Sequence, residues 1–198
     1  MPLFNYADAE VCKNVIKACY RSGLRVFELT NRDTMALEVF RQLVPWAEKE
    51  CPDLSLGAGT ILDDNTAGQF IEAGADFIIA PVFDKGTAKL CRKHNIPYVP
   101  GCFTPTEMYK AYNAGSHMVK LFPAGTLGPD FVKAVLAPLP HLKIVVTGGI
   151  RFDEASVRSW YSSGAFALGI GSSVFTKDRI SKKDFAGIEH ELAKIREY

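Results

Sequence analysis

The sequence has no surplus of either charge: 23 Lys and Arg stand against 22 Asp and Glu, a formal net charge of +1. Nothing in that balance points to nucleic acid or an anionic membrane surface as a partner. No apolar run reaches the roughly 18 residues that a membrane-spanning helix requires. The opening residues, MPLFNYADAE, lack the basic stretch followed by an apolar one that marks a signal peptide. The expectation is a soluble, cytoplasmic protein. Cys12, Cys19, Cys51, Cys91 and Cys102 are odd in number and form no CxxC pair, which argues against a disulfide framework or a zinc site. His94, His117, His141 and His190 are scattered, with no HxxH or HExxH spacing, so no metal is expected. No GxGxxG turn follows the first apolar run, where Tyr6-Ala7-Asp8-Ala9 stands instead.

What is present is ordinary globular composition, 47% hydrophobic and 23% charged, over 198 residues. That length predicts one domain over 1–198, since single cores stop growing at about 250–300 residues. Short apolar or β-branched runs alternate with longer amphipathic ones. Eight candidate strands cover 2–6, 24–30, 54–60, 76–80, 97–100, 118–122, 143–147 and 165–170. Helical spacing sets Val11, Val15, Ile16 and Cys19 on one face of 7–22, and Ala36, Leu37, Phe40, Leu43 and Val44 on one face of 33–50. Ala67, Phe70 and Ile71 do the same in 63–73, and Phe185, Ile188, Leu192 and Ile195 in a C-terminal helix over 182–198. One junction recurs four times: Ser22-Gly23-Leu24, Ala73-Gly74-Ala75, Ala114-Gly115-Ser116 and Ser163-Gly164-Ala165. Each puts Gly just past a helix, where a left-handed cap calls for it. Eight βα units without a linker predict an α/β fold, a (β/α)8 TIM barrel of minimal size. A doubly wound open sheet is the rival, and it would favour the missing Gly-rich turn.

In such a barrel, function sits at the C-terminal ends of the strands. Two charged residues interrupt apolar strands there: Glu28 in Arg25-Val26-Phe27-Glu28-Leu29, and Lys120 in His117-Met118-Val119-Lys120-Leu121-Phe122. Strand alternation separates Glu28 from Phe27 and Leu29, and Lys120 from Val119 and Leu121. The apolar neighbours must meet the helices, so Glu28 and Lys120 point into the barrel. A structural ion pair would explain them; so would a nucleophilic amine beside an acid/base group, and their place near strand ends favours the second.

Thr147-Gly148-Gly149 ends the seventh candidate strand and Gly169-Ile170-Gly171-Ser172 the eighth. Turns after those two strands commonly bind phosphate through bare backbone N–H groups. Arg32, just past the second strand, has a guanidinium suited to a carboxylate, although a solvated loop arginine fits as well. Thr60, after Gly59, offers a hydroxyl or simply small-residue packing.

Five ordered segments carry a resemblance across nearly the whole chain: Arg25-Val26-Phe27-Glu28-Leu29-Thr30, Gly57-Ala58-Gly59-Thr60-Ile61-Leu62, Val99 to Glu107, Val119-Lys120-Leu121-Phe122-Pro123-Ala124 and Val146-Thr147-Gly148-Gly149-Ile150. The sequence resembles the 2-keto-3-deoxy-6-phosphogluconate (KDPG) aldolase family, class I aldolases also described as acting on 4-hydroxy-2-oxoglutarate. The Lys-x-Phe-Pro-Ala motif is specific to it. The resemblance implies a (β/α)8 barrel, a homotrimer and a small 2-keto-3-deoxy sugar phosphate as substrate, with no cofactor. It further implies that Lys120 forms the Schiff base, Glu28 moves protons, and Arg32 and Thr60 hold the carboxylate. Gly148, Gly149, Gly171 and Ser172 would line the phosphate end, Thr147 would lie beside the substrate, and Pro81 and Phe122 would line the pocket. Three features depart from the family pattern. The chain begins at its first strand without the helix that usually covers the barrel bottom, Gly125 stands where some members carry an acid, and Ala80-Pro81-Val82 replaces Ser-Pro-Gly. The expected reaction cleaves the substrate to pyruvate and glyceraldehyde 3-phosphate. The C4-epimeric galactonate series, a sugar-phosphate epimerase and a non-catalytic phospho-sugar-binding barrel are the alternatives. The direction of the Lys120 pKa shift stays open, since burial lowers it and an ionised Glu28 raises it.

Overall fold

The structure, a computed structural model, describes residues 1–198 apart from the side chain of Arg196. Strands and helices alternate: β1 (Leu3–Phe4), α1 (Ala9–Arg21), β2 (Val26–Thr30), α2 (Ala36–Glu50), β3 (Ser55–Gly59), α3 (Asp64–Glu72), β4 (Ile78–Ile79) and α4 (Lys85–Lys93). The order continues through β5 (Tyr98–Val99), β6 (Gly101–Cys102), α5 (Pro105–Asn113), β7 (Met118–Leu121), α6 (Pro129–Leu136), β8 (Lys143–Thr147), α7 (Glu154–Ser162), β9 (Ala167–Gly169), α8 (Lys177–Ser181) and α9 (Phe185–Ala193).

All strand pairs are parallel, in the order β1 to β5 and then β6 to β9. β5 and β6 are two halves of one barrel strand, interrupted where Pro100 has no N–H to give. The Pro100 carbonyl still accepts from Lys120 N at 2.8 Å, so the sheet is continuous there. The ring closes between the first and last strands, where Leu3 N donates to Ile170 O at 2.9 Å and Ile170 N to Met1 O at 3.0 Å. The result is the (β/α)8 barrel, and closure rules out the open sheet. The fifth candidate strand, placed at 97–100, therefore runs on through Cys102.

Local chemistry sets the helix ends. Asp8, Asp63, Asp84, Thr104 and Asp153 each accept hydrogen bonds from first-turn N–H groups, caps typically worth about 1 kcal/mol each. The four junction glycines share one conformation, with φ between 95° and 101°. A fifth junction uses Asn95 at φ 57°, because Asn also tolerates the left-handed region. The helix expected at 182–198 is shorter. Lys183 has φ 53°, which breaks the backbone, and Asp184 then caps α9.

Two apolar layers result. Phe27, Leu29, Phe40 and Phe70 belong to the layer between strands and helices. Phe77, Ile79, Val99 and Val145 form a separate cluster inside the barrel, with Met1, Met118 and Ala167 against it. The inner cluster lines the N-terminal half and leaves the C-terminal half to polar groups.

Candidate active site

Glu28 lies in the middle of β2 and is 0% exposed; Lys120 lies on β7 and is 5% exposed. Their inward direction follows from the strand period, because Phe27 and Leu29 are buried in the outer layer. Lys120 Nζ is 3.9 Å from Glu28 Oε1. Neither carboxylate oxygen of Glu28 has a hydrogen-bond partner among the described residues. The carboxyl lies against the backbone of Gly59, and a Cβ at that position would overlap it.

Burial raises the pKa of Glu28 above its ordinary value of 4.5, outweighing the opposite pull of Lys120 and Arg32. Burial also lowers that of Lys120 below 10.5, outweighing the pull of Glu28, and Arg32 lowers it further. Both shifts favour a neutral carboxyl and a neutral amine over two ions, as expected when a contact this long leaves buried charges unsatisfied. The direction left open by the sequence is thus downward for Lys120.

Above this pair, Phe122 divides the mouth of the barrel into two clefts. Its ring centroid is 5.2 Å from Lys120 Nζ. The narrower cleft, about 250 Å³, is lined by Arg32, Thr147, Gly148, Gly149, Gly171 and Ser172 among others. Gly148 and Gly149 have φ of 90° and 75°, conformations that suit Gly. The N–H groups of Gly148, Gly149, Ser172 and Ser173 make no bond to another backbone group among the described residues. Thr147 Oγ1 is buried and has no partner either. Bare N–H donors, a hydroxyl and a guanidinium equip this cleft to hold an anion. The wider cleft, about 530 Å³, is lined by Pro81, Val82, Phe83, Phe103 and Lys110 beside Phe122. A cavity of about 420 Å³ at the opposite end of the barrel, between Val26, Phe77, Val99, Met118, Val145 and Phe166, is mainly apolar and far less equipped for catalysis.

The structure brings together most of the residues singled out in the sequence. Glu28 and Lys120 meet, and six of the proposed phosphate and substrate contacts share one cleft with Arg32. Arg32 is therefore a neighbour of the glycine turns. Thr60 follows Gly59 with φ 61° and lines neither cleft. Leu3, Ile150 and Ser173 line the narrow cleft and Lys110 the wide one without having been singled out. Leu3 had a legible signal, its place within the first candidate strand. Lys110 sits on a helix, where strand-end reasoning does not look.

The model of a family described as KDPG and KHG aldolase matches residues 1–191. A 2-dehydro-3-deoxy-phosphogluconate aldolase of Treponema pallidum is 33% identical over 155 residues, 78% of this chain and 72% of the relative. The KHG/KDPG aldolase of Escherichia coli K12 is 29% identical over 186 residues, 93% of this chain and 84% of the relative. Among solved structures, the KDPG aldolase of Legionella pneumophila, with pyruvate captured as a covalent carbinolamine, superimposes with a TM-score of 0.89 at 24% identity. That superposition covers 98% of this chain and 92% of the other.

Proposed function

The chain belongs to the KDPG and KHG aldolase family, and from that premise we propose that it is a class I aldolase cleaving 2-dehydro-3-deoxy-6-phosphogluconate to pyruvate and glyceraldehyde 3-phosphate. The observation that carries this reading is the Lys120–Glu28 pair, 3.9 Å apart and tuned by burial toward its neutral forms. A neutral amine is the form that attacks a ketone, and a protonated carboxyl is the form that can give a proton to a leaving hydroxyl.

Lys120 Nζ adds to the C2 carbonyl and forms a carbinolamine. Glu28 gives a proton to the C2 hydroxyl, which leaves as water, and the protonated imine remains. That imine draws the C3–C4 bonding pair toward nitrogen. The Glu28 carboxylate, or a water beside it, takes the C4 hydroxyl proton as C3–C4 breaks. Glyceraldehyde 3-phosphate departs, and C3 of the remaining enamine is protonated. Water then adds at C2 and releases pyruvate, restoring the amine of Lys120. The Legionella pneumophila relative, caught as a carbinolamine with pyruvate, supports the first step.

Phosphate binds the turns of Gly148, Gly149, Gly171 and Ser172, and Arg32 supplies positive charge to the substrate acid groups with Thr60 as a second contact. Thr147 gives its unpartnered hydroxyl to a substrate oxygen, and Pro81 and Phe122 wall the reacting carbons. The name of the E. coli relative extends the substrate range to 4-hydroxy-2-oxoglutarate. The family resemblance also supports a cytoplasmic homotrimer of single-barrel chains.

Borohydride reduction in the presence of pyruvate tests the reading. A stable adduct of one pyruvate residue on Lys120 is expected. Absence of labelling, with the protein folded and phospho-sugar still bound, would make it a binding barrel instead.

A further inference from the structure

Asn5 is a polar residue at the top of β1, and its Oδ1 is buried with no hydrogen-bond partner among the described residues. A buried carbonyl oxygen without a donor is costly, so such an atom calls for an explanation. The direction of its side chain follows from its neighbours. The rings of Phe4 and Tyr6 stack, with centroids 6.1 Å apart and planes 5° from parallel. Residues two apart share a face only where the chain is extended, so the strand geometry carries through Asn5. Phe4 faces the helical layer, with its ring against Phe175 at 5.4 Å. Asn5 therefore shares the opposite face with Leu3; Leu3 lines the narrow cleft beside Gly171, and Asn5 stands two residues further toward the mouth, just outside that lining. β1 lies between β2, which leads to Arg32, and the β9 end that carries Gly171 and Ser172.

An unpartnered acceptor at that place selects a donor. A phosphate dianion and a carboxylate have no proton to give, but a sugar hydroxyl has. With C2 of the substrate at Lys120 and the phosphate on the glycine turns, the hydroxyl nearest the phosphate is the one on C5. We infer that Asn5 is a specificity-determining residue whose carboxamide accepts a hydrogen bond from the hydroxyl on the carbon next to the phosphate-bearing carbon. The inference rests on the aldolase reading above.

Condensation with pyruvate tests it, using two aldehydes: glyceraldehyde 3-phosphate and its 2-deoxy analogue, 3-phosphooxypropanal, which lacks only that hydroxyl. The wild-type protein should favour the hydroxylated aldehyde in kcat/KM by about 5–100-fold, the usual worth of a buried hydrogen bond left unmade. In Asn5→Val the preference should vanish, because kcat/KM for the hydroxylated aldehyde falls to the level of the analogue. Borohydride labelling by pyruvate alone, which involves no aldehyde, reports that the variant is folded. Asn5→Asp keeps the shape and the acceptor. It should retain the preference while raising KM for both phosphorylated aldehydes through charge repulsion. An unchanged preference in Asn5→Val, an equal loss on both aldehydes, or unchanged KM values in Asn5→Asp would overturn the inference. Failure of the wild-type protein to take the pyruvate label would instead overturn the aldolase reading.

Discussion

Lys120 Nζ and Glu28 Oε1 face each other at 3.9 Å inside the barrel, and no donor among the described residues makes a hydrogen bond to either oxygen of the carboxyl. A pair held this far apart gains little from attraction while paying the full cost of leaving water. The burial that makes the pair a poor structural element also moves both groups toward the uncharged forms that the proposed chemistry uses.

Replacing Lys120 by Met removes the amine and keeps the length of the side chain. Turnover and pyruvate labelling should both be lost while the circular dichroism spectrum is unchanged. Labelling retained in Lys120→Met would place the attachment site elsewhere.

Glu28→Gln keeps the shape and removes the titrating proton. General acid–base catalysis is worth about 10²–10⁴-fold, so kcat should fall by that order. A change confined to KM would make Glu28 a binding residue.

The pair should also cost stability, over a pH window set by the two shifts. The raised pKa of Glu28 means that its cost begins as pH climbs above 4.5, where the unfolded side chain ionises. The lowered pKa of Lys120 means that its cost begins as pH drops below 10.5. Both apply at neutral pH. The double variant Glu28→Gln/Lys120→Met should then be more stable than the wild type, by about 1–4 kcal/mol as for other buried pairs replaced without charge. Thermal melts at pH 7 test this, and the Glu28 share of the gain should disappear in melts run on the acid side of its ordinary value.

Gly59→Ala would push a methyl group into the Glu28 carboxyl. The carboxyl must move, so kcat should drop toward the level of Glu28→Gln although no reacting group has been removed. Wild-type kcat in a folded Gly59→Ala protein would show that the carboxyl has room to spare.

Gly149 has φ 75°, a conformation that a β-branched residue resists, and it lines the narrow cleft. Gly149→Val should raise KM for the phosphorylated substrate far more than for 4-hydroxy-2-oxoglutarate, which has no phosphate. Equal effects on both, in a folded protein, would remove the phosphate from this turn.

Much of this protein is set by local rules that a sequence exposes directly. Apolar alternation separates Glu28 from Phe27 and Leu29, and Lys120 from Val119 and Leu121, whatever lies across the barrel. Gly23, Gly74, Gly115 and Gly164 mark helix ends because a single backbone conformation requires them. The same argument would have found Asn95 had Asn been read beside Gly. These signals depend on a residue and its near neighbours in the chain, so the eight-fold alternation and the two inward charges could be read before any fold was known.

What the tertiary structure decided depends on groups that the chain holds far apart. The charge states of Glu28 and Lys120 turn on how completely water is excluded, and that is the sum of every surrounding strand, including the close backbone of Gly59. Arg32 joins the glycine turns in one cleft because barrel closure sets β1 and β2 beside β9, a proximity with no counterpart along the sequence. Along the sequence Pro100 ends a strand; across the sheet its carbonyl accepts from Lys120 N and the strand continues. That the Asn5 oxygen has no partner among the described residues is likewise visible only once the surrounding donors have been placed. Strand period and helix caps are short-range and survive in one dimension; desolvation, closure and hydrogen-bond satisfaction are properties of the assembled volume.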